Sequence, residues 1–422
     1  MSKVTSLLAE HNRAGWLVWL TLAGSITFTV LLSIWLGQER SVTPAYCSAV
    51  ENWFAGEPLY TMQGHGFLYL PQAALVFAPW AILPHSTCEI VWRLSIIAVL
   101  AFSVVRLTRL LNGDGRWYGV LSLAAAAMGW GCARNGQSTL LITGLMILAV
   151  VDLAESRWWR ATILLAIAFA FKPFAIVLIL LAAVIYPQMS WRLAIGLFVV
   201  AIAPFAMQRP DYVISQYVAF NQSLQITIDV GDSEKWAQVF GMLEVAGLKV
   251  PSSARTILRL IAAVATLFLC WKASRNLSPQ RSAYYLYSLA ACYLMLFNSR
   301  TEGNTYAMVG PVYGVLLAEA LFQKNRGTVV VWAMSSAIVL SVLNYDLAVL
   351  ITSRPDAIWI SPLVCVGVTG YLVLRLCQDL RRASSAKRES LKTGDSLSHP
   401  LERAVVLEKV RYPLAPVLRG ET

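Results

Sequence analysis

Charged side chains are scarce in this chain: 14% of its 422 residues are Asp, Glu, Lys or Arg, against about 25% in soluble globular domains. With 57% apolar residues, the chain has too few charges to cover a water-facing surface of its size, which excludes an ordinary soluble domain. Histidine occurs four times, and no His and Cys spacing matches a zinc site. No Gly-rich run leads into a Lys-Ser or Lys-Thr pair, so ATP has no phosphate loop to sit in. Cysteine is sparse as well. Cys270, Cys292, Cys365 and Cys377 lie in or at the ends of apolar runs and read as small apolar residues. Cys47 and Cys88 fall on one side of the expected topology, where a disulfide between them survives if that space is oxidising.

Long uncharged runs fill the space that charge leaves. Residues 15–36 contain no charged side chain, and at about 1.5 Å per residue they reach across a hydrocarbon core of about 30 Å. Gln38, Glu39 and Arg40 follow in place of a small-residue cleavage site, so this is a retained first helix and not a signal peptide. Similar runs recur to residue 377, and the expectation is an all-α polytopic membrane protein with about twelve transmembrane segments. The apolar stretch 67–84 is the exception. Counting it as a span would invert everything after it, so it reads as re-entrant or interfacial.

Lys and Arg collect in cytoplasmic loops. With the N-terminus inside, the inner segments hold 23 of the 34 basic residues but 11 of the 23 acids. The expected organisation is a membrane domain over 1–380 with outer loops at 38–66 and 208–255, followed by a basic cytoplasmic tail over 381–422. Both termini lie inside a plasma (inner) membrane. The net charge of +11 is mostly this asymmetry, so nucleic acid is excluded as a partner and the lipid bilayer is the expected one.

Strong polar groups interrupt the apolar runs at few places. Arg134, Asn135 and Gln137 separate two runs, Lys172 with Pro173 separates two more, and Arg300, Glu302 and Asn304 separate another pair. An ionisable group at membrane depth costs about 2.5 kcal/mol or more without a partner or a wet cavity. One topology sets all three interruptions at the outer level, as the lining of one site. Arg255 and Arg259 share a helix face nearby. Each group also has a structural reading: Arg300 neutralising Glu302, Lys172 snorkelling to the surface, amides satisfying broken backbone, and Glu51 as a solvated acid. Asp229, Asp232 and Glu234 form an acidic cluster that suits a divalent metal or plain solvation.

The ordered strings Gly56-Glu57-Pro58-Leu59-Tyr60, Phe67-Leu68-Tyr69-Leu70-Pro71, Asn135-Gly136-Gln137-Ser138, Phe171-Lys172-Pro173 and Asn221-Gln222-Ser223-Leu224 resemble those of glycosyltransferase family 87. The resemblance implies a GT-C-like fold and a hexosyltransferase. Such an enzyme moves a sugar from a polyprenyl-phosphate donor to a glycolipid or glycan acceptor at the outer face. Its catalytic Asp is expected three or four residues before Tyr46, where this chain has Val42 and Thr43. The base therefore falls to Glu302 or Glu51. Arg134, Lys172, Arg259 and Arg300 are the candidates for the phosphate, and Asn135, Gln137, Asn221, Gln222, Tyr60 and Tyr69 those for the sugar. Two other classes stay open. A non-catalytic glycolipid-binding or assembly protein would keep the pocket without the base, and a lipid or sugar transporter would show paired half-repeats, of which none is evident.

Overall fold

The computed structural model describes residues 2–38, 41–60, 67–229, 236–322, 328–353 and 359–392, except the side chains of 2–12, 224–229 and 388–392. Among the described residues every regular element is helical, as expected. Five helices open the chain: α1 (Ser2–Trp35), α2 (Thr43–Ala55), α3 (Gln72–Ala81), α4 (His85–Leu110) and α5 (Gly115–Arg134). α1 and α5 run parallel and touch closely. A Cβ on Gly15 would lie 2.2 Å from the Tyr118 ring, Trp19 Nε1 donates to Ser122 Oγ at 2.9 Å, and Ser33 shares a cavity wall with Arg134. α4 runs against both, because Arg93 near its start reaches the Arg134 carbonyl while Arg106 near its end pairs with Glu155. The chain from 36 to 84 thus leaves and re-enters the bundle at one end. α2 and α3 do not cross it, in line with the interfacial reading of 67–84.

The rest shuttles between the same two ends. α6 (Thr139–Ala154), α7 (Trp158–Phe171), α8 (Ile176–Ile185) and α9 (Pro187–Ile202) lead to α10 (Pro210–Asp229) and the short α11 (Val239–Val245). Then come α12 (Ser252–Asn276), α13 (Pro279–Phe297), α14 (Gly310–Phe322), α15 (Thr328–Val342), α16 (Asn344–Thr352) and α17 (Ile360–Lys392). The segment 208–255, expected as an outer loop, is therefore largely helical where it is described. Its anchor is polar: Gln216 Oε1 accepts from the Leu59 amide at 2.9 Å, and Tyr212 donates to the Glu57 carbonyl at 2.7 Å.

The expected count of about twelve spans does not hold. Among the described residues six helices are long and apolar enough to cross a membrane, and seven if the pair 328–342 and 344–352, bent by 78°, is one span. α6, α7 and α8, with 16, 14 and 10 residues, reach only about 24, 21 and 15 Å, short of a hydrocarbon core of about 30 Å. Hydropathy cannot tell apolar residues that face lipid from those that face protein. α6 is buried over nearly its whole surface, so its side chains serve packing inside the bundle. α12 and α9 carry the outward apolar surface through Ile257, Ile261, Val264, Phe198 and Val199.

Three helix breaks at one end of the bundle shape the site. Between α5 and α6, Gly136 takes φ +67°, where a Cβ would lie 2.6 Å from Thr43 Oγ1. The carbonyls released there are claimed at once: Trp92 Nε1 donates to Gly136 O at 2.7 Å, Val42 N to Asn135 O at 3.0 Å, and Arg93 Nε and Nη2 to Arg134 O at 3.1 and 2.9 Å. Between α7 and α8, Pro173 lacks an N–H and holds Lys172 in extended geometry. Between α13 and α14, a turn at 299–300 flanked by extended Asn298 and Glu302 leads into the 3₁₀ helix Gly303–Val309.

Arg93 is itself held by a buried pair with Glu89 one turn earlier, the two side chains 2% and 1% exposed. Ser41 Oγ completes this knot, 3.0 and 2.9 Å from the two Glu89 oxygens. Removing one partner strands the other charge, a loss of about 3–5 kcal/mol. Glu89→Leu should lower the unfolding free energy of the detergent-solubilised protein by that amount, and Glu89→Leu with Arg93→Met should recover most of it; equal stability of wild type and single variant would refute the buried pair. The two-ended topology is checked separately. In sealed vesicles of one orientation, with Cys377 replaced, an impermeant thiol reagent should label only one of Glu57→Cys and Arg116→Cys.

Candidate active site

At the end where the three breaks meet lies a cavity of about 480 Å³. Lys172 enters it from the α7 break, its Nζ 5.2 Å from the ring centroids of both Tyr69 and Phe174. Arg300 enters from the α13 break with its Cζ 4.8 Å from the Trp236 ring. Neither cation has a carboxylate within ion-pair distance among the described residues. Arg259 from α12 adds a third positive charge, its Nε donating to the Phe297 carbonyl at 2.9 Å and its Cζ 5.3 Å from the Phe240 ring. Burial lowers the Arg300 guanidinium from its ordinary value, with the Glu302 carboxylate working against that. Among the described residues, three cations against one carboxylate, walled by rings, form a site short of an anion.

The carboxylate is Glu302, exposed into the cavity at the start of the 3₁₀ turn. Gln137 Nε2, from the α5 break, donates to Glu302 Oε2 at 2.9 Å, and the Cys132 thiol donates to Gln137 Oε1 at 3.3 Å. One carboxylate oxygen is thereby oriented. The other has no protein donor among the described residues and is left to accept a proton. Behind the wall, the Tyr46 and Tyr69 hydroxyls lie 2.8 Å apart, the Ser138 amide donates to Tyr46 at 3.4 Å, and Tyr60 donates to the Tyr69 carbonyl at 2.6 Å. These bonds fix the Tyr69 ring under Lys172.

The structure thus brings together Lys172, Arg259, Arg300, Glu302 and Tyr69, with Gln137 joined through Glu302. Tyr60 is buried behind them as a support. Five other candidates lie elsewhere. Arg134 turns into a second cavity with Glu89 and Arg93, because the left-handed Gly136 reverses the chain between it and Gln137. Asn135 is a helix-end residue whose carbonyl holds Val42. Asn221 and Gln222 are exposed on α10, where Phe220 and Ser223 line the cavity instead. Glu51 is exposed on α2 and does not line it.

The residues that sequence reasoning missed are Tyr46, Trp236 and the Glu89–Arg93 knot, whose i, i+4 spacing at the head of an apolar run was the available signal. The Cys47 and Cys88 thiols are unbonded neighbours at 3.7 Å. Of the acidic cluster, the Asp229 side chain, Asp232 and Glu234 lie outside the described residues.

Comparison with known proteins adds one finding. The model of glycosyltransferase family 87 matches residues 67–299, more than half of the chain. The chain belongs to glycosyltransferase family 87. No curated protein and no solved structure matches it. This family 87 protein is accordingly a membrane glycosyltransferase, and its span-capable helices put its donor and acceptor chemistry beside a bilayer. The matched span includes Tyr69, Gln137, Lys172 and Arg259 and stops one residue before Arg300, so Arg300 and Glu302 of the α13 break lie just outside it.

The Tyr46–Tyr69 contact is testable by a double-mutant cycle with Tyr46→Phe and Tyr69→Phe, read by denaturant unfolding. The coupling expected for one buried hydroxyl pair is about 1 kcal/mol. Strict additivity would show that the pair does not hold the ring.

Proposed function

We propose that this enzyme transfers a hexose or similar sugar from a polyprenyl-phosphate donor to a glycolipid or glycan acceptor at the outer face of the plasma membrane, with both termini cytoplasmic. The observation that carries the reading is the pair Lys172 and Arg300, two cations without carboxylate partners among the described residues, converging on a cavity that also holds Glu302. A sugar phosphate leaving as polyprenyl phosphate develops negative charge on the departing oxygen, and Lys172, Arg300 and Arg259 meet it where desolvation strengthens the attraction. The free Glu302 oxygen takes the proton from the acceptor hydroxyl while the acceptor oxygen bonds to the anomeric carbon. The carbon–phosphate oxygen bond breaks in the same step, so configuration at the sugar inverts. Gln137 holds Glu302 in position for this, and Asn298 and Ser223 lie on the same wall as donors for sugar hydroxyls. Ile176, Val177, Leu294 and Phe297 give the cavity an apolar side suited to a prenyl chain.

Glu302 and not Glu51 is the base in this reading, since of the two only Glu302 lines the cavity that holds the cations. With labelled polyprenyl-phosphate sugar and the protein in proteoliposomes, Glu302→Gln should cut turnover about a hundredfold with donor binding retained. Glu51→Gln should have little effect. Lys172→Gln and Arg300→Gln should each weaken donor binding about tenfold. Full turnover in Glu302→Gln would remove Glu302 as the base. A second reading rests on Val42 and Thr43, which stand where the family resemblance puts an Asp: a glycolipid-binding protein without transfer would bind the donor with the same dependence on Lys172 and Arg300, yet release no polyprenyl phosphate with any acceptor.

A further inference from the structure

The second cavity, about 230 Å³, lies between the last turns of α1, the start of α4 and the end of α5. Among the described residues its charges are Glu89, Arg93 and Arg134. Arg93 is fully engaged: Nη1 bonds Glu89, Nη2 bonds Ser41 Oγ at 3.0 Å, and Nε and Nη2 hold the Arg134 carbonyl. Glu89 is matched by Arg93 and Ser41. The Arg134 guanidinium remains, half-buried, without a hydrogen-bond or ion-pair partner among the described residues. Two further polar groups on the wall, the Ser33 hydroxyl and the Gln38 amide, are also without partners there. Val30 and Ile34 line the cavity from α1, and the same turns expose Leu31, Leu32, Trp35 and Leu36 on the outside of the bundle.

We propose that this cavity binds the phosphodiester of a membrane phospholipid, separately from the sugar-donor site. The charge fits: the one cation left over after pairing among the described residues matches the single negative charge of a phosphodiester and not the multiple charges of a pyrophosphate or nucleotide. The donor set fits too. A guanidinium takes two phosphate oxygens at once, and a hydroxyl and an amide N–H stand beside it. The exposed face of α1 selects a lipid over a free anion, since acyl chains lie along Leu31, Leu32 and Trp35 while the headgroup turns inward. An unpaired cation at this depth is costly, and such a headgroup relieves it. The turn at Gly136 separates this site from the donor cavity, with Arg134 on one side and Gln137 on the other. A lipid here would brace the α5 break from the side opposite Glu302.

The test is native mass spectrometry of the full-length protein in detergent, titrated with phosphatidylglycerol, with neutral diacylglycerol and with inorganic phosphate. Wild type should bind one phosphatidylglycerol about tenfold more tightly than Arg134→Gln, with Arg134→Lys between them and diacylglycerol indifferent to the substitution. Ser33→Leu fills the cavity from α1 without touching a charge and should also remove the lipid, which keeps the test decisive if Arg134→Gln fails to fold. Equal phosphatidylglycerol affinity across these proteins overturns the site. Arg134-dependent binding of inorganic phosphate with no preference for the lipid overturns the lipid as its source. Lys172→Gln, which acts on the donor cavity, should leave the titration unchanged, so that either site can fail without the other; an equal loss in that variant refutes their separation.

Discussion

A backbone carbonyl or amide released at a broken helix inside an apolar bundle has no water to turn to, and each one left unmatched costs several kcal/mol. This protein breaks three helices at the same end, at 135–138, at 172–173 and at 298–302. Much of its site geometry consists of the groups that satisfy those breaks. Arg93, Trp92 and Val42 take the carbonyls of the first break, and holding Arg93 requires the buried Glu89 and Ser41. Gln137, displaced from the helical ladder by that turn, reaches Glu302 on the third break. The satisfied backbone is thus what sets the amide and the carboxylate face to face.

The cations divide by whether a carboxylate meets them. At the end away from the breaks, Arg106, Arg157 and Arg160 surround Asp152 and Glu155, and Arg281 and Arg375 share Glu319 and Asp379. There charge meets charge, and the pairing explains why those residues are tolerated. At the broken end Arg93 pairs with Glu89 and Arg255 with Glu244, but Lys172 and Arg300 meet rings and the Arg134 guanidinium meets no partner among the described residues. The same residue types in the same chain are thus structural where a carboxylate meets them and available to a ligand where none does, and partner geometry alone separates the two.

Charge and hydropathy settle a good deal before any coordinates. The all-helical membrane class follows from 14% charged and 57% apolar residues, the interfacial reading of 67–84 from the sign of the loops that follow it, and the broken run at Lys172-Pro173 from proline's missing donor. The ordered strings around Tyr69, Gln137 and Lys172 carry the family resemblance. These properties are local or additive, and a linear reading captures them.

The span count and the membership of the site are neither. Whether α6 faces lipid or protein depends on which helices surround it, and its apolar sequence looks the same in both cases. Arg134 and Gln137 are three positions apart, yet one left-handed glycine sends them to different cavities. Glu51 and Glu302 are equal candidates on paper, and only the packing of α13 against the α5 and α7 breaks leaves one beside Lys172 and Arg300 and the other in solvent. The sequence determined which residues are costly to bury; the tertiary structure decided which are brought together, because convergence depends on how distant helix ends pack and no local pattern encodes that.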